Sequence, residues 1–213
     1  MHGAKRGVFI SFEGVEGSGK TTQAEALVAW LADRQIPHIF VRDPGCTEIG
    51  EKIREILLNR DLREMHERCE VLLFLAARSQ LTYEKILPAL DEKKVVVTDR
   101  FSDSTFAYQS YARDLPRRMI AIFNRFAAAG IKPDLTFLVD IDASVRKERG
   151  KFRDRMETEA EAYQQKVRQA YRLLAARSKK RFRVLDGKKS MEIIYDEVIH
   201  HVQELLKRKG YKI

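Results

Sequence analysis

Short apolar runs alternate along the chain with longer stretches in which apolar positions recur every three or four residues. Val8 to Phe12 reads as a buried strand, and Ala24, Leu27, Val28 and Leu31 fall on one face of a helix over Lys20 to Arg34. Ile39 to Val41 predicts a second strand, and Ile49, Ile53, Ile56 and Leu57 mark the next helix. A long helical stretch is expected from Met65 to Leu90, kinked near its end by Pro88. Val95 to Val97 form a third strand that runs out at Asp99; two more helices lead to a fourth strand, Leu135 to Ile141. Arg183 to Leu185 is a weaker fifth strand, and Met191 to Leu206 a closing amphipathic helix. This alternation predicts an α/β fold, a parallel sheet between layers of helices. With no internal repeat, low-complexity segment or linker, residues 1–213 read as a single domain.

The chemistry concentrates where strands end. Gly14-Val15-Glu16-Gly17-Ser18-Gly19-Lys20-Thr21 fits the phosphate-binding loop pattern GxxxxGK[ST], with a strand entering it and a helix leaving it. Its glycines let backbone N–H groups turn inward around phosphate oxygens, and the helix N-terminus adds a favourable field. Lys20 is placed to reach β- and γ-phosphates, and the Thr21 hydroxyl to ligate Mg²⁺. Asp99 emerges at the carboxyl edge of the sheet, where α/β proteins bind ligands, and is the second expected metal ligand. Arg100 follows as a counter-charge for an acceptor phosphate. Phe74 and Arg78, four apart, share a helix face. An aromatic face beside an arginine fork suits a planar base with carbonyl oxygens; a core Phe beside a solvated Arg is the other reading. Asp43-Pro44-Gly45-Cys46-Thr47 carries turn chemistry and little else.

Composition changes the picture in one respect. Hydrophobic residues at 44% and charged residues at 33% describe a globular chain. The longest clean apolar run, Val71 to Ala77, is too short to cross a bilayer, and Glu13 interrupts the first apolar run as a signal sequence would not. Two cysteines without a CxxC pair point to a reducing, cytoplasmic setting. The formal net charge of +9 invites a nucleic-acid reading. Yet Arg146 to Lys189 holds 16 basic and 6 acidic residues, net +10, which leaves −1 for the remainder. The excess is one segment. It opens with Arg146, Arg149, Arg153 and Arg155, the make-up of a mobile loop that closes over a nucleotide; much of Lys166 to Lys180 reads as solvated surface.

Phe12 to Gln23, Arg42 to Thr47, Leu73 to Arg78 and Asp99 to Gln109 together resemble the thymidylate kinase family, in order and over nearly the whole chain. The resemblance implies a P-loop NTPase fold, three-layer α/β/α with a five-stranded parallel sheet, of nucleoside monophosphate kinase type with a helical lid near 146–158. It implies phosphorylation of dTMP to dTDP by ATP and Mg²⁺, serving dTTP synthesis. Residues 14 to 22, from Gly14 through Lys20, Thr21 and Thr22, would hold ATP. Phe74 would stack on thymine and Arg78 bond the base, with Ser104, Thr105 and Gln109 nearby. Tyr108 would lie against the sugar and disfavour a 2′-hydroxyl, while Glu16 would reach the 3′-hydroxyl. Arg54 and Arg100 would hold the acceptor phosphate, flanked by Asp43 and Pro44. Gly17 after Glu16 and the arginine-rich lid match the bacterial design, in which Arg149 and Arg155 act on the phosphate chain and Arg153 is a further candidate. Asp43 stands where the family usually has Glu, Cys46 where it has Gly, and the lid is one residue longer than usual.

A kinase for another nucleoside monophosphate or for a deoxynucleoside is the alternative, and a basic nucleic-acid-binding P-loop NTPase a weaker one. A GTPase would carry an Asn-Lys-x-Asp motif, which the sequence lacks. The family's usual homodimer is expected, with Val71 to Leu75 offering an apolar face; no nucleic-acid or membrane partner is expected.

Overall fold

The computed structural model describes residues 6–149, 155–156 and 159–213, the side chains of Lys147 and Arg149 excepted. Five parallel strands form one sheet in the order β2-β3-β1-β4-β5: β1 (Val8–Glu13), β2 (His38–Arg42), β3 (Val95–Asp99), β4 (Leu135–Asp140) and β5 (Phe182–Asp186). The sheet is buried on both sides, and the two-residue period of β1 sorts its side chains between them. Val8, Ile10 and Phe12 face α1 (Lys20–Asp33) and α9 (Met191–Lys209), where Leu27, Leu31, Val198 and Val202 close the core. Phe9 faces the opposite layer with Val96, Leu81, Leu90 and Phe101. Ser11 and Glu13 share that second side, so β1 sends two polar groups into a buried layer. Register sets Phe12 and Arg42 on either side of Asp99, which brings the ends of β1, β2 and β3 to one edge.

The second layer is built from α2 (Glu48–Leu58), α3 (Glu67–Leu81), α4 (Leu87–Asp91), α5 (Ser102–Thr105), α6 (Arg117–Ala127) and α8 (Glu161–Arg177). α7 (Ala143–Arg149) follows β4 and begins the expected lid. The long helix expected from Met65 to Leu90 is instead α3, a π-helical turn over Thr82–Ile86, and α4. Pro88 has no N–H for the carbonyl of Glu84, and the backbone widens in the preceding turn, where Leu87 N–H donates to the Thr82 carbonyl. A second π-helical segment, Phe106–Ala112, carries Tyr108 and Gln109 and packs on α8.

Much of Lys166 to Lys180 is solvated as expected, with Lys166, Arg172, Arg177, Lys179 and Lys180 exposed, while the apolar side of the helix is not. In α8, Val167, Ala170, Tyr171 and Ala175 are buried at helical spacing. Arg168 forms a two-point pair with Asp140 at 2.6 and 2.9 Å, and Arg181 does the same with Asp103. Among the described residues no helix is long and apolar enough to cross a membrane.

Candidate active site

The loop between β1 and α1 needs backbone that side chains do not tolerate. A Cβ on Gly14, at φ +149, would lie 2.6 Å from the Val139 carbonyl, and Gly19, at φ +89, caps α1. Gly14, Val15, Glu16, Gly17, Ser18 and Gly19 form the turn; Lys20, Thr21 and Thr22 open the helix. Burial and then the nearby Arg100 lower the Lys20 ammonium from its usual pKa, against Asp99, Glu16 and Glu13, which favour its charge.

Thr21 Oγ1 donates to Asp99 Oδ2 at 2.5 Å, while Asp99 Oδ1 is buried without a hydrogen-bond partner among the described residues. A hydroxyl beside an open carboxylate oxygen is the hard-oxygen set that Mg²⁺ takes, so these two residues fit the ion.

Arg100 follows β3 with φ +70, a left-handed conformation held by its N–H on the Phe12 carbonyl and by Thr98 Oγ1 donating to its own carbonyl. The turn swings its guanidinium into the cleft. Nη2 donates to Glu16 Oε1 at 2.6 Å and to Tyr108 OH at 3.2 Å; Nη1 donates to Ser104 Oγ at 3.2 Å and Tyr171 OH at 3.1 Å. Tyr108 OH in turn donates to Glu16. Burial opposes the Glu16 charge, but Arg100, Lys20 and that hydroxyl outweigh it and hold the carboxyl below its ordinary range.

A cavity of about 230 Å³ opens against Lys20, Thr21 and Asp99. Its wall contains Glu16, Asp43, Pro44, Arg54, Phe74, Arg78, Arg100, Ser104, Thr105, Tyr108 and Gln109, together with Arg42, Leu58 and Met156, which the sequence reading did not single out. Phe74 is half-buried in this wall. Arg78 is no solvated helix-end arginine: at 1% exposure it donates to Asp43 (2.6 Å), Thr105 (2.6 Å), Asn124 (2.5 Å) and the Phe101 carbonyl (3.2 Å). Asp43, a methylene shorter than Glu, therefore still makes a direct contact. Cys46 adopts φ +62, a left-handed conformation open to glycine without strain. Its N–H donates to Glu51, its Sγ accepts from the Arg42 N–H, and Arg54 donates to the Pro44 carbonyl, so the loop is fixed from three sides.

The lid arginines divide. α7 ends at Arg149, whose side chain lies outside the described residues, as does all of Arg153. The structure does not bring Arg155 to the phosphate loop. It is buried between the end of α2 and α3, donating to Glu70 Oε2 (2.8 Å) and to the Leu57 carbonyl (3.0 Å). Glu70 also accepts from Gln109 at 2.9 Å and pairs with Arg113. The extra lid residue leaves the register of Arg155 open in the sequence.

Sequence reasoning passed over Glu13, Tyr171 and Asn124. Glu13 was visible as a carboxylate inside an apolar strand and Tyr171 as an aromatic on the apolar stripe of a basic helix; Asn124 gave no signal.

A phosphate-binding loop after the central strand of a β2-β3-β1-β4-β5 parallel sheet, with a second pocket facing its lysine, defines a P-loop kinase of the nucleoside monophosphate type. The thymidylate kinase family model matches residues 12–198. Thymidylate kinases of Pelotomaculum thermopropionicum and Carboxydothermus hydrogenoformans are 44% and 46% identical, over 94% and 91% of this chain and 95% of each relative. The crystal structure of thymidylate kinase from Ehrlichia chaffeensis superposes with a TM-score of 0.77 at 29% identity, covering 93% of this chain and 99% of that one. The chain belongs to the thymidylate kinase family.

The buried Glu13 makes a prediction about stability. Burial first, then Asp103, raise its carboxyl to about 7, against Ser104, Arg100 and the Phe101 N–H. Between the ordinary 4.5 and about 7 the native state therefore keeps a proton that the unfolded chain releases, and this group's stabilising contribution falls as pH rises. Glu13→Gln removes the titration, so the variant's melting temperature relative to wild type is higher at pH 8 than at pH 5. Calorimetry at the two pH values checks the sign.

Proposed function

We propose that the chain transfers the γ-phosphoryl group of ATP to dTMP, giving ADP and dTDP, with the roles divided along the cleft. The observation that carries the proposal is that all eleven residues expected for the acceptor line one cavity, and that cavity opens on Lys20 and Asp99. An oxygen of the dTMP phosphate forms the new bond to the γ-phosphorus as the bond to the ADP oxygen breaks. Such a transfer calls for placement and charge neutralisation rather than covalent help. Arg54 and Arg100 hold the acceptor phosphate, Phe74 stacks on the base beside Arg78, and Tyr108 closes the space a 2′-hydroxyl would fill. Lys20 and the backbone N–H groups of the loop hold the β- and γ-phosphates. Thr21 and Asp99 would hold Mg²⁺, which supplies positive charge to the phosphate oxygens.

Arg149 is assigned to the transition-state charge. Arg155, paired with Glu70, anchors the far end of the lid. Cytoplasm, where ATP and dTMP are met and the unpaired Cys46 and Cys69 stay reduced, is the proposed location.

The homodimer is proposed on α6 and α3. Ile122 and Phe126 lie one turn apart on α6 and are 58% and 81% exposed, and Leu72 on the adjoining α3 is exposed as well; Val71 and Leu75 themselves are core.

Three outcomes are expected. With Mg·ATP and a panel of nucleoside monophosphates, ADP release is fastest with dTMP; a flat profile, or CMP or AMP ahead, defeats the specificity. Arg149→Ala lowers kcat by about a hundredfold while KM for dTMP moves far less, the signature of a contact made in the transition state; an unchanged kcat removes Arg149 from the role. Wild type sediments as a dimer, and Phe126→Asp as a monomer that still folds.

A further inference from the structure

Glu13 has no part in the mechanism above. It ends β1 one residue before the phosphate loop, and strand alternation turns it into the layer that holds α5 and α8. Its carboxylate is wholly buried and accepts from the Phe101 N–H (2.9 Å), Ser104 Oγ (2.7 Å) and Tyr171 OH (2.9 Å). The same two hydroxyls receive Arg100 Nη1, and they stand 2.8 Å from each other.

A hydroxyl has one proton to give and lone pairs to accept with, whereas an ionised carboxylate only accepts. With Glu13 ionised, above about pH 7, the chain of donors runs toward it whichever way the proton between Ser104 and Tyr171 points. The lone pairs of both oxygens are left for the guanidinium. The Nη1 side of Arg100 is thereby fixed from behind, and its Nη2 side faces Glu16 and Tyr108 at the cavity wall. Asp103 and Arg181, paired with each other, and Lys20 are the remaining charges near Glu13.

We propose that Glu13 is the positioning residue for Arg100: through the Ser104 and Tyr171 hydroxyls it sets where the guanidinium presents itself to the acceptor phosphate. The proposal rests on the reading of Arg100 as the group that holds that phosphate. The position opposes stability at neutral pH, because burial and Asp103 disfavour the carboxylate there. Departures from local stability are expected at functional positions.

The test is steady-state kinetics of Glu13→Gln and Tyr171→Phe beside wild type. Glutamine keeps an acceptor for the Phe101 N–H but turns a donor on the hydroxyls; phenylalanine keeps the ring packing and deletes one relay oxygen. Each variant is expected to raise KM for dTMP about tenfold, equivalent to about 1.4 kcal/mol. KM for ATP is expected to stay within about twofold, as for loss of one hydrogen bond to a charged group that only the acceptor feels. The double variant should be no worse than the worse single one, since both cut the same relay. An unchanged KM for dTMP in either variant overturns the proposal. So does a parallel loss for both substrates with a lowered melting temperature, which a merely structural role would give. Should Glu13→Gln fail to fold, Tyr171→Phe decides alone by the same criteria. Wild-type turnover of dTMP is the separate control: its absence defeats the functional reading, not the relay.

Discussion

The charge of Arg100 has to be both buried and available, and much of the second layer is arranged around that conflict. A guanidinium left 15% exposed at the carboxyl edge of a sheet is costly unless its N–H groups are met. Four oxygens meet it, from the phosphate loop, α5, the π-helical segment and α8, so four separate pieces of chain must converge on one side chain. Those oxygens need partners of their own, and Glu13 and Glu16 supply them. The polar side of β1 extends the arrangement inward: Ser11 bonds Thr136, Thr136 accepts from Arg181, and Arg181 is held by Asp103 on α5. The left-handed backbone at Arg100 opposes folding by about 1 kcal/mol, and the two hydrogen bonds around it over-determine that conformation.

A second buried arginine follows the same logic with a different outcome. Arg78 has four partners from four parts of the chain and almost no exposure, so its role is to fix Asp43, Thr105 and Asn124 relative to α3 while one edge meets the cavity. Removing a single partner would leave a charge in the interior, which costs more than the pair itself contributes. This wall of the cavity is therefore held by the protein's own hydrogen bonds.

What the sequence made legible is local. Val8 to Phe12, Val95 to Val97 and the loop from Gly14 to Thr21 carry their conformation in residues within a few positions of one another, and all appear where the pattern puts them. The spacing of Phe74 and Arg78 placed them on one face, but the partners that bury Arg78 lie 23 to 46 residues away and leave no periodic trace. Tyr171 meets Glu13 across 158 residues, and nothing in a basic amphipathic helix distinguishes that tyrosine from one that fills a core. A charge count by segment likewise registers Arg168 and Arg181 without the Asp140 and Asp103 that pair with them from outside the segment. Pro88 was seen as a kink, although the backbone adjusts in the turn before it, where the lost hydrogen bond is felt.

The lid segment shows how the two halves of the cleft share parts. Its near end is held by Asp142, which accepts from the Val145 N–H and pairs with Lys188. Its far end is held by Arg155, whose N–H and side chain bond the carbonyls of Leu58 and Leu57 at the end of α2 and whose charge meets Glu70 on α3. One turn before that end α2 carries Arg54, and one turn beyond Glu70 α3 carries Phe74; Gln109, bonded to Glu70, lines the same cavity. The contacts of Arg155 and one wall of the cavity are thus built on the same two helices. Interfaces this closely packed shift as units rather than yield locally, so Arg155 is coupled in position to α2 and α3.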